Sequence, residues 1–276
     1  LSSYQLELTP RPRFDVAVFL NLEPDHLDRH AGLHGYAAAK RRIFEGEGAA
    51  VVGVDDAHGR WLQARLEGRR RVLPITADAD LPDDLGPALR GRHNRQNAAA
   101  ALAALDALGV ARDRVLPALK TFGGLPHRQE LVRTMGHVAY VNDSKATNAP
   151  AATRALDSFP RIYWIAGGEA KDGGLAGVEP WLDRIQAAYL IGKAAPAFRA
   201  QLARMAPRLR TIEAGTLEAA LRAAHVDAQA DPSPSAVLLS PACASFDQFQ
   251  SYEARGDIFR RLVKGLAPPQ PQGAAA

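Results

Sequence analysis

The stretch Val138-Ala139-Tyr140-Val141-Asn142-Asp143-Ser144-Lys145-Ala146-Thr147-Asn148 decides how this chain is read. Its first four residues are apolar, with β-branched and aromatic side chains suited to a buried strand, and the run then turns polar at once. Asn148, followed by Ala149 and Pro150, has the form of a helix start: a short polar side chain caps free backbone N–H groups, and proline fits the first turn. A strand that empties into a helix start is where open α/β sheets bind ligands. Capping accounts for Asn148 and leaves Asp143, Lys145 and Thr147 without a structural task, so the segment reads as a site.

Outward from it, strands are predicted at 138–142, 162–166, 188–191, 210–212 and 236–240. Helices are expected between and after them at 149–156, 180–185, 194–205, 216–230 and 246–262. Such alternation implies an α/β, Rossmann-like fold, a parallel sheet with helices on both faces. The first half alternates too, with strands at 16–20, 49–54 and 71–75 and helices at 33–45 and 60–66. An acidic, proline-bearing run over 78–87 reads as a loop. Beyond it, an alanine-rich helix at 94–108 suits close packing on a sheet, and another helix is expected at 111–120. Gly123-Gly124 and Pro126 mark a boundary between domains over 1–123 and 124–267. The tail 268–276, P-P-Q-P-Q-G-A-A-A, is low-complexity and expected to be disordered.

The length of 276 residues suffices for two domains, and 47% apolar with 23% charged residues is a globular composition. The single cysteine, Cys243, cannot form an internal disulfide, and no apolar run reaches the length of a membrane span. A cytoplasmic protein without membrane insertion is expected. The net charge of +4 is spread over arginines scattered among acids and alanines, so no nucleic-acid partner is expected and phosphorylated small molecules suit the charge better. Lysines are few (Lys40, Lys120, Lys145, Lys171, Lys193 and Lys264), which hints at positions that need a compact or reactive amine.

Several other segments carry chemistry. Glu23-Pro24-Asp25-His26-Leu27-Asp28 follows the first strand; it reads as a metal site that does not choose between magnesium, manganese and zinc, or as a solvated acidic loop. Lys40 lies in a helix beside small residues, where an amine is either partly buried and reactive or part of a basic surface. Asn94 and Asn97 are one helical turn apart and can present paired amides to one ligand, although Asn94 also suits a cap. Arg128 sits at the domain junction, where an arginine can clamp phosphate. The glycines around Glu169-Ala170-Lys171 allow backbone to approach an anion, or form a flexible loop. Ser245 lies near an expected helix N-terminus suited to a carboxylate, or caps it.

Read in order, L-S-S-Y-Q-L-E at 1–7, E-P-D-H-L-D-R at 23–29, A-A-A-K-R-R at 37–42 and G-R-H-N-R-Q-N at 91–97 resemble the Mur ligases. The likeness continues through G-L-P-H-R at 124–128, N-D-S-K-A-T-N at 142–148, G-G-E-A-K at 167–171 and S-P-A-C-A-S-F-D-Q-F at 240–249. The resemblance implies ATP-dependent amide formation in peptidoglycan precursor synthesis. Within the family the pattern is most similar to the members that phosphorylate the alanyl carboxylate of UDP-N-acetylmuramoyl-L-alanine and let the amine of D-glutamate attack the acyl phosphate. A carboxylate is a poor electrophile, so phosphate activation and cations are needed.

By the same resemblance, ATP and Mg2+, with Mn2+ as an alternative, are the expected cofactors. His26 matches a magnesium-binding histidine, and Lys40 matches a carbamylated lysine whose modified end offers oxygen ligands. Asn94 and Asn97 match adenine contacts, and Arg128 and Asp143 match contacts to the nucleotide's phosphate or ribose. Lys145, Thr147, Lys171, Ser245 and Tyr252 match the D-glutamate pocket, with tyrosine where a phenylalanine is familiar. The chain departs from the family by lacking the G-x-x-G-K-[ST] loop, and the metal-binding glutamate and UDP-binding domain expected ahead of Leu1 are missing, so a partial central ATPase-type domain is read over 1–123. The 276 residues alone are therefore expected to be an inactive, monomeric fragment. Two other readings stand beside this one: a different Mur or folylpolyglutamate-type ligase, and a non-catalytic nucleotide or amino-acid binding fragment.

Overall fold

The structure, a computed structural model, describes residues 1–23 and 27–267. The chain divides into two compact units, Leu1–Phe122 and Gly123 onward. Both are α/β.

In the first unit, β1 (Val16–Phe19), β2 (Ala49–Gly53) and β3 (Val72–Ile75) form a parallel sheet in that order, Val16 opposite Ala49 and Ala50 opposite Val72. The central strand Ala-Ala-Val-Val-Gly is buried on both faces, as a strand covered by crossovers must be. One face packs Val51 and Ile75 against Ala98, Ala99 and Ala100 of α4 (Arg92–Ala107). The other packs Phe19 and Val52 against Phe44 and against Leu62 of α3 (Ala57–Leu66). Ahead of the sheet, α1 (Ser3–Leu8) carries a complete capping box between Ser2 and Gln5. It is tied to α2 (Leu33–Arg41) and its extension: Arg42 donates to the carbonyls of Leu6 at 2.6 Å and Thr9 at 2.8 Å, and the buried His30 ring lies 2.9 Å from Ser3 Oγ. A further helix, α5 (Arg112–Thr121), ends the unit.

In the second unit the sheet order is β4-β5-β9-β6-β7-β8. The strands are β4 (Glu130–Met135), β5 (Val138–Asn142), β6 (Ile162–Gly167), β7 (Ile185–Ile191), β8 (Arg210–Gly215) and β9 (Ser235–Leu239). Only the β4–β5 pairing is antiparallel. Side chains alternate across the sheet: Val141, Trp164 and Leu238 join α6 (Ala149–Asp157) and α7 (Ala195–Met205) on one face. Tyr140, Ile165 and Leu239 join α8 (Leu217–Ala230) and α9 (Tyr252–Gly265) on the other.

The sequence expectation misplaces several elements. The helix expected over 33–45 stops at Arg41 and tightens into a 3-10 turn over Arg42–Phe44, and that expected over 180–185 is a 3-10 turn over Glu179–Arg184. The last helix starts at Tyr252 under a Ser251 cap, six residues later than the expected 246, because 246–251 fold into turns. Neither α1 nor β4 was foreseen. The tail 268–276, expected to be disordered, lies outside the described residues.

Candidate active site

Strands β5, β9 and β6 lie side by side, Asn142 opposite Leu239 and Leu239 opposite Ile165. The chain leaves β5 toward α6 on one face and leaves β9 toward α9 on the other. Adjacent strand ends whose connections part to opposite faces open a crevice, and this one receives the polar segment that follows Val141.

Asp143 stands first in it and is almost wholly buried. Its backbone N–H continues the ladder to Leu239 O at 2.7 Å, while its carboxylate accepts from Ser240 Oγ at 2.8 Å and from the Gln129 N–H at 3.1 Å. Burial pushes its carboxyl up to about 7, outweighing those two donors and the nearby Arg128 charge. Asp143 is thus a carboxyl poised between its two forms near neutral pH.

Lys145 stands exposed at the mouth, its ammonium 3.3 Å from the Tyr252 hydroxyl and 5.1 Å from the ring centroid, a cation–π contact. Between them, Ser144 Oγ donates to Tyr252 O at 2.8 Å. Beneath lies Arg255, a side chain with no exposed surface. Its Nε donates to Ser144 Oγ at 2.9 Å, its Nη2 to Ser144 O at 2.8 Å and Cys243 O at 3.0 Å, and its Nη1 to Ala244 O at 3.3 Å. One guanidinium fork therefore braces the loop carrying Lys145 against the loop carrying Ser245. Desolvation lowers Arg255 to about 10, which still leaves it a cation at neutral pH. Gly168 makes the packing possible: its φ is +132°, and a Cβ there would stand 2.3 Å from Ala244 O and 3.2 Å from Arg255 Nη1.

The bend before β4 closes the crevice. His127 takes φ +61° and is buried, its carbonyl accepting from the Lys145 N–H at 3.0 Å and its ring standing edge-on to Tyr252 at 6.2 Å. Gly256 leaves room for that ring, since a Cβ would lie 2.2 Å from Nδ1. Asn142 donates to His127 Nδ1 and Glu130 Oε2, both at 3.1 Å.

Of the residues expected here, Asp143, Lys145 and Tyr252 come together, and the Arg128 charge acts on Asp143. Thr147 is half-buried on the same loop, with its N–H on Lys145 O at 2.9 Å, and Asn148 caps α6 through Ala151 N–H at 2.8 Å. Ser245 is buried and starts a turn that accepts the Gln248 and Phe249 N–H groups, so it is not at a helix N-terminus as expected; Ser251 holds that place. Lys171 is exposed two residues beyond Glu169, whose backbone pairs with Ala244. His127 as a packed hinge, Ser240 and Arg255 were not singled out from the sequence. A charged residue on the apolar side of the last helix, Arg255 beside Phe259, was the available signal.

In the first unit, Asn94 and Asn97 share one face of α4, and Asn97 Nδ2 donates to Asn94 Oδ1 at 3.1 Å. Asn94 is the third residue of the helix rather than its cap, Gly91 taking that place, and its amide reaches back to Arg90 O at 2.8 Å. Lys40 is half-buried with its amine 5.4 Å from the Tyr36 ring centroid. His26 lies outside the described residues, and among the described residues no cluster of three or more histidine, cysteine or acidic side chains is placed to hold a metal. An ammonium on Lys40 would donate only and could not ligate a cation, whereas a carbamate there would offer oxygen ligands.

The comparisons agree with this architecture. Residues 2–84 match the Mur ligase middle domain. Over an alignment of 302 positions, gaps included, the chain is 46% identical to the UDP-N-acetylmuramoylalanine--D-glutamate ligase of Phenylobacterium zucineum, covering 99% of this chain and 64% of that protein, so it spans under two thirds of that relative's length. The fold is similar to the MurF ligase of Thermotoga maritima in complex with ADP (TM-score 0.64, 17% identity, 96% of this chain and 65% of that one). It is similar also to E. coli FolC in complex with ADP (TM-score 0.59, 21% identity, 91% of this chain and 62% of that one). The first unit thus matches the Mur ligase middle domain, and along its whole length the chain is similar to a ligase of that family.

Proposed function

We propose that this chain is the nucleotide- and amino-acid-binding part of an ATP-dependent ligase that joins D-glutamate to UDP-N-acetylmuramoyl-L-alanine in peptidoglycan synthesis. The observation that carries the reading is the braced crevice at β5 and β9. At its mouth an ammonium on a loop braced by one buried guanidinium meets a tyrosine hydroxyl from the first turn of the helix that carries that guanidinium. A dicarboxylate needs such fixed cations and hydroxyls to hold its remote carboxylate while its amine stays free. The relative's name, which pairs D-glutamate with this chemistry, supports the choice of amino acid.

In this reading Lys145, Thr147, Lys171, Ser245 and Tyr252 receive D-glutamate. Asn94 and Asn97 receive the adenine, whose edge presents a donor and an acceptor to paired amides. Arg128 neutralises nucleotide phosphate and Asp143 accepts from a ribose hydroxyl. ATP supplies the phosphoryl group that activates the substrate carboxylate. The ADP held by two fold neighbours, the MurF ligase and FolC, supports a nucleotide of this kind. A divalent cation, Mg2+ or Mn2+, would be held by His26 and by Lys40 as its carbamate, and would neutralise charge on the transferring phosphate. Substrates of this type place the reaction in the cytoplasm, and no helix among the described residues is long and apolar enough to cross a membrane.

The test is a steady-state assay of the intact gene product, following phosphate release against D-glutamate concentration. Lys145→Met is expected to raise KM for D-glutamate by about tenfold or more, the value of a charge-assisted contact, with a much smaller change in KM for ATP. Equal use of L-lysine or a diamino acid in place of D-glutamate would sink the substrate assignment, and D-glutamate binding without phosphate release would favour a non-catalytic module.

A further inference from the structure

A second polar locus lies in the first unit, outside every group assigned above. His34, Ala37 and Arg41 of α2 and Ala57, His58 and Trp61 of α3 line one groove of about 480 Å3. Spacings of three and four residues put His34, Ala37 and Arg41 on one side of α2, Trp61 is one turn on from both Ala57 and His58, and the two alanines leave space in the groove. Trp61 is a large apolar side chain left 43% exposed. It is not bare: the Arg41 guanidinium carbon lies 5.2 Å and the Arg65 one 5.3 Å from its ring centroid, and the His58 ring stands 5.4 Å away.

The polar groups there are under-used. Arg41 Nε and His58 Nε2 are both buried and have no hydrogen-bond partner among the described residues. Buried polar atoms are nearly always paired, so two orphans on residues lining one groove indicate a missing acceptor. None of the lining residues is acidic. Asp56, the residue before Ala57, caps α3 by accepting from the Gly59 N–H at 2.6 Å. A second groove shares Arg41 and adds Arg42, Arg65, Arg69 and Arg70 against one acid, Glu45, which pairs with Arg42, so the potential along this face is positive. Neighbouring arginines have structural duties, Arg42 on the carbonyls of α1 and Arg70 on Phe44 O at 2.7 Å. Among the described residues Arg41 and Arg65 have no duty of that kind: both guanidiniums lie near the indole, an arrangement suited to a tetrahedral oxyanion.

We propose that the α2–α3 groove binds a phosphate-bearing small molecule, its oxyanion held by Arg41, Arg65 and His58 with Trp61 as the platform that fixes the two guanidiniums. The site is independent of the ligase reading.

The test uses the 276-residue chain, whose three tryptophans give three indole N–H resonances, with Trp61→Phe identifying the relevant one. The chain is titrated at constant ionic strength and without divalent metal with inorganic phosphate, pyrophosphate and ADP, against sodium chloride. Saturable movement of the Trp61 resonance by a phosphate compound, weakened about tenfold in both Arg41→Gln and Arg65→Gln, is expected for the loss of one charge-assisted contact. Saturation by inorganic phosphate marks the free ion as the ligand, and saturation by ADP alone marks the nucleotide. A Trp61 resonance that moves with chloride alone, does not move, or moves equally in both folded glutamine variants would overturn the proposal. Arg41→Lys, which keeps the charge, provides the folded control if a glutamine variant unfolds.

Discussion

Asp143 is the residue whose state depends most on its surroundings. Its carboxyl is raised from the ordinary aspartate range to about 7, so the folded protein binds a proton there that the unfolded chain releases near pH 4. Stability therefore falls as pH rises from about 4 through about 7. Asp143→Asn imitates the protonated form, and its thermal stability should match wild type at pH 4 and exceed it at pH 8 by about 1–3 kcal/mol. A difference that does not change with pH would show that the carboxylate is solvated. Arg255 makes the opposite case. Arg255→Met leaves the carbonyls of Ser144, Cys243 and Ala244 without their donor, and a loss of about 3 kcal/mol is expected in urea unfolding. Lysine, which lacks the fork, should restore only part of it. Cys243 lies under the same loops with its thiol pushed up to about 12 by burial, so slow modification by thiol reagents in the folded state is expected.

Among the elements, those with a strong local signal were legible. β5, β6 and β9 are short apolar runs, and α6 begins where Asn148 and Pro150 place it. Asn148→Ala should cost about 1 kcal/mol in chemical denaturation by removing the bond to the Ala151 N–H. β4 was missed because Glu-Leu-Val-Arg-Thr-Met mixes charges into an edge strand with a bulge between Leu131 and Arg133, and its pairing comes from the Gly136 turn at φ +59°. The last helix was started too early because Phe246 and Phe249 continue an apolar rhythm, whereas Ser251 supplies the cap. α1 is only six residues long and is held by Arg42, which lies more than thirty residues away in sequence. Such tertiary dependence leaves little local trace.

For the molecule as a whole, the reading makes two expectations about turnover. Lys40→Arg in the intact gene product should abolish ligation while leaving the melting temperature unchanged, since a guanidinium cannot be carbamylated; wild-type turnover would remove the carbamate role. The 276-residue chain has no G-x-x-G-K-[ST] run to cradle phosphates. Its phosphate release in the presence of ATP and both substrates should stay at background. The sequence alone determined the α/β alternation, the strand ends that carry polar segments, and the order of motifs that points to the family, because each of these is a local pattern of burial, capping or chemistry. What the tertiary structure decided is which of those segments meet. The insertion of β9 between β5 and β6 brings Asp143 to Ser240, and α9 carries a buried arginine under two loops about a hundred residues apart. Contacts of that range are set by strand order and side-chain packing, and neither is written in any single stretch of chain.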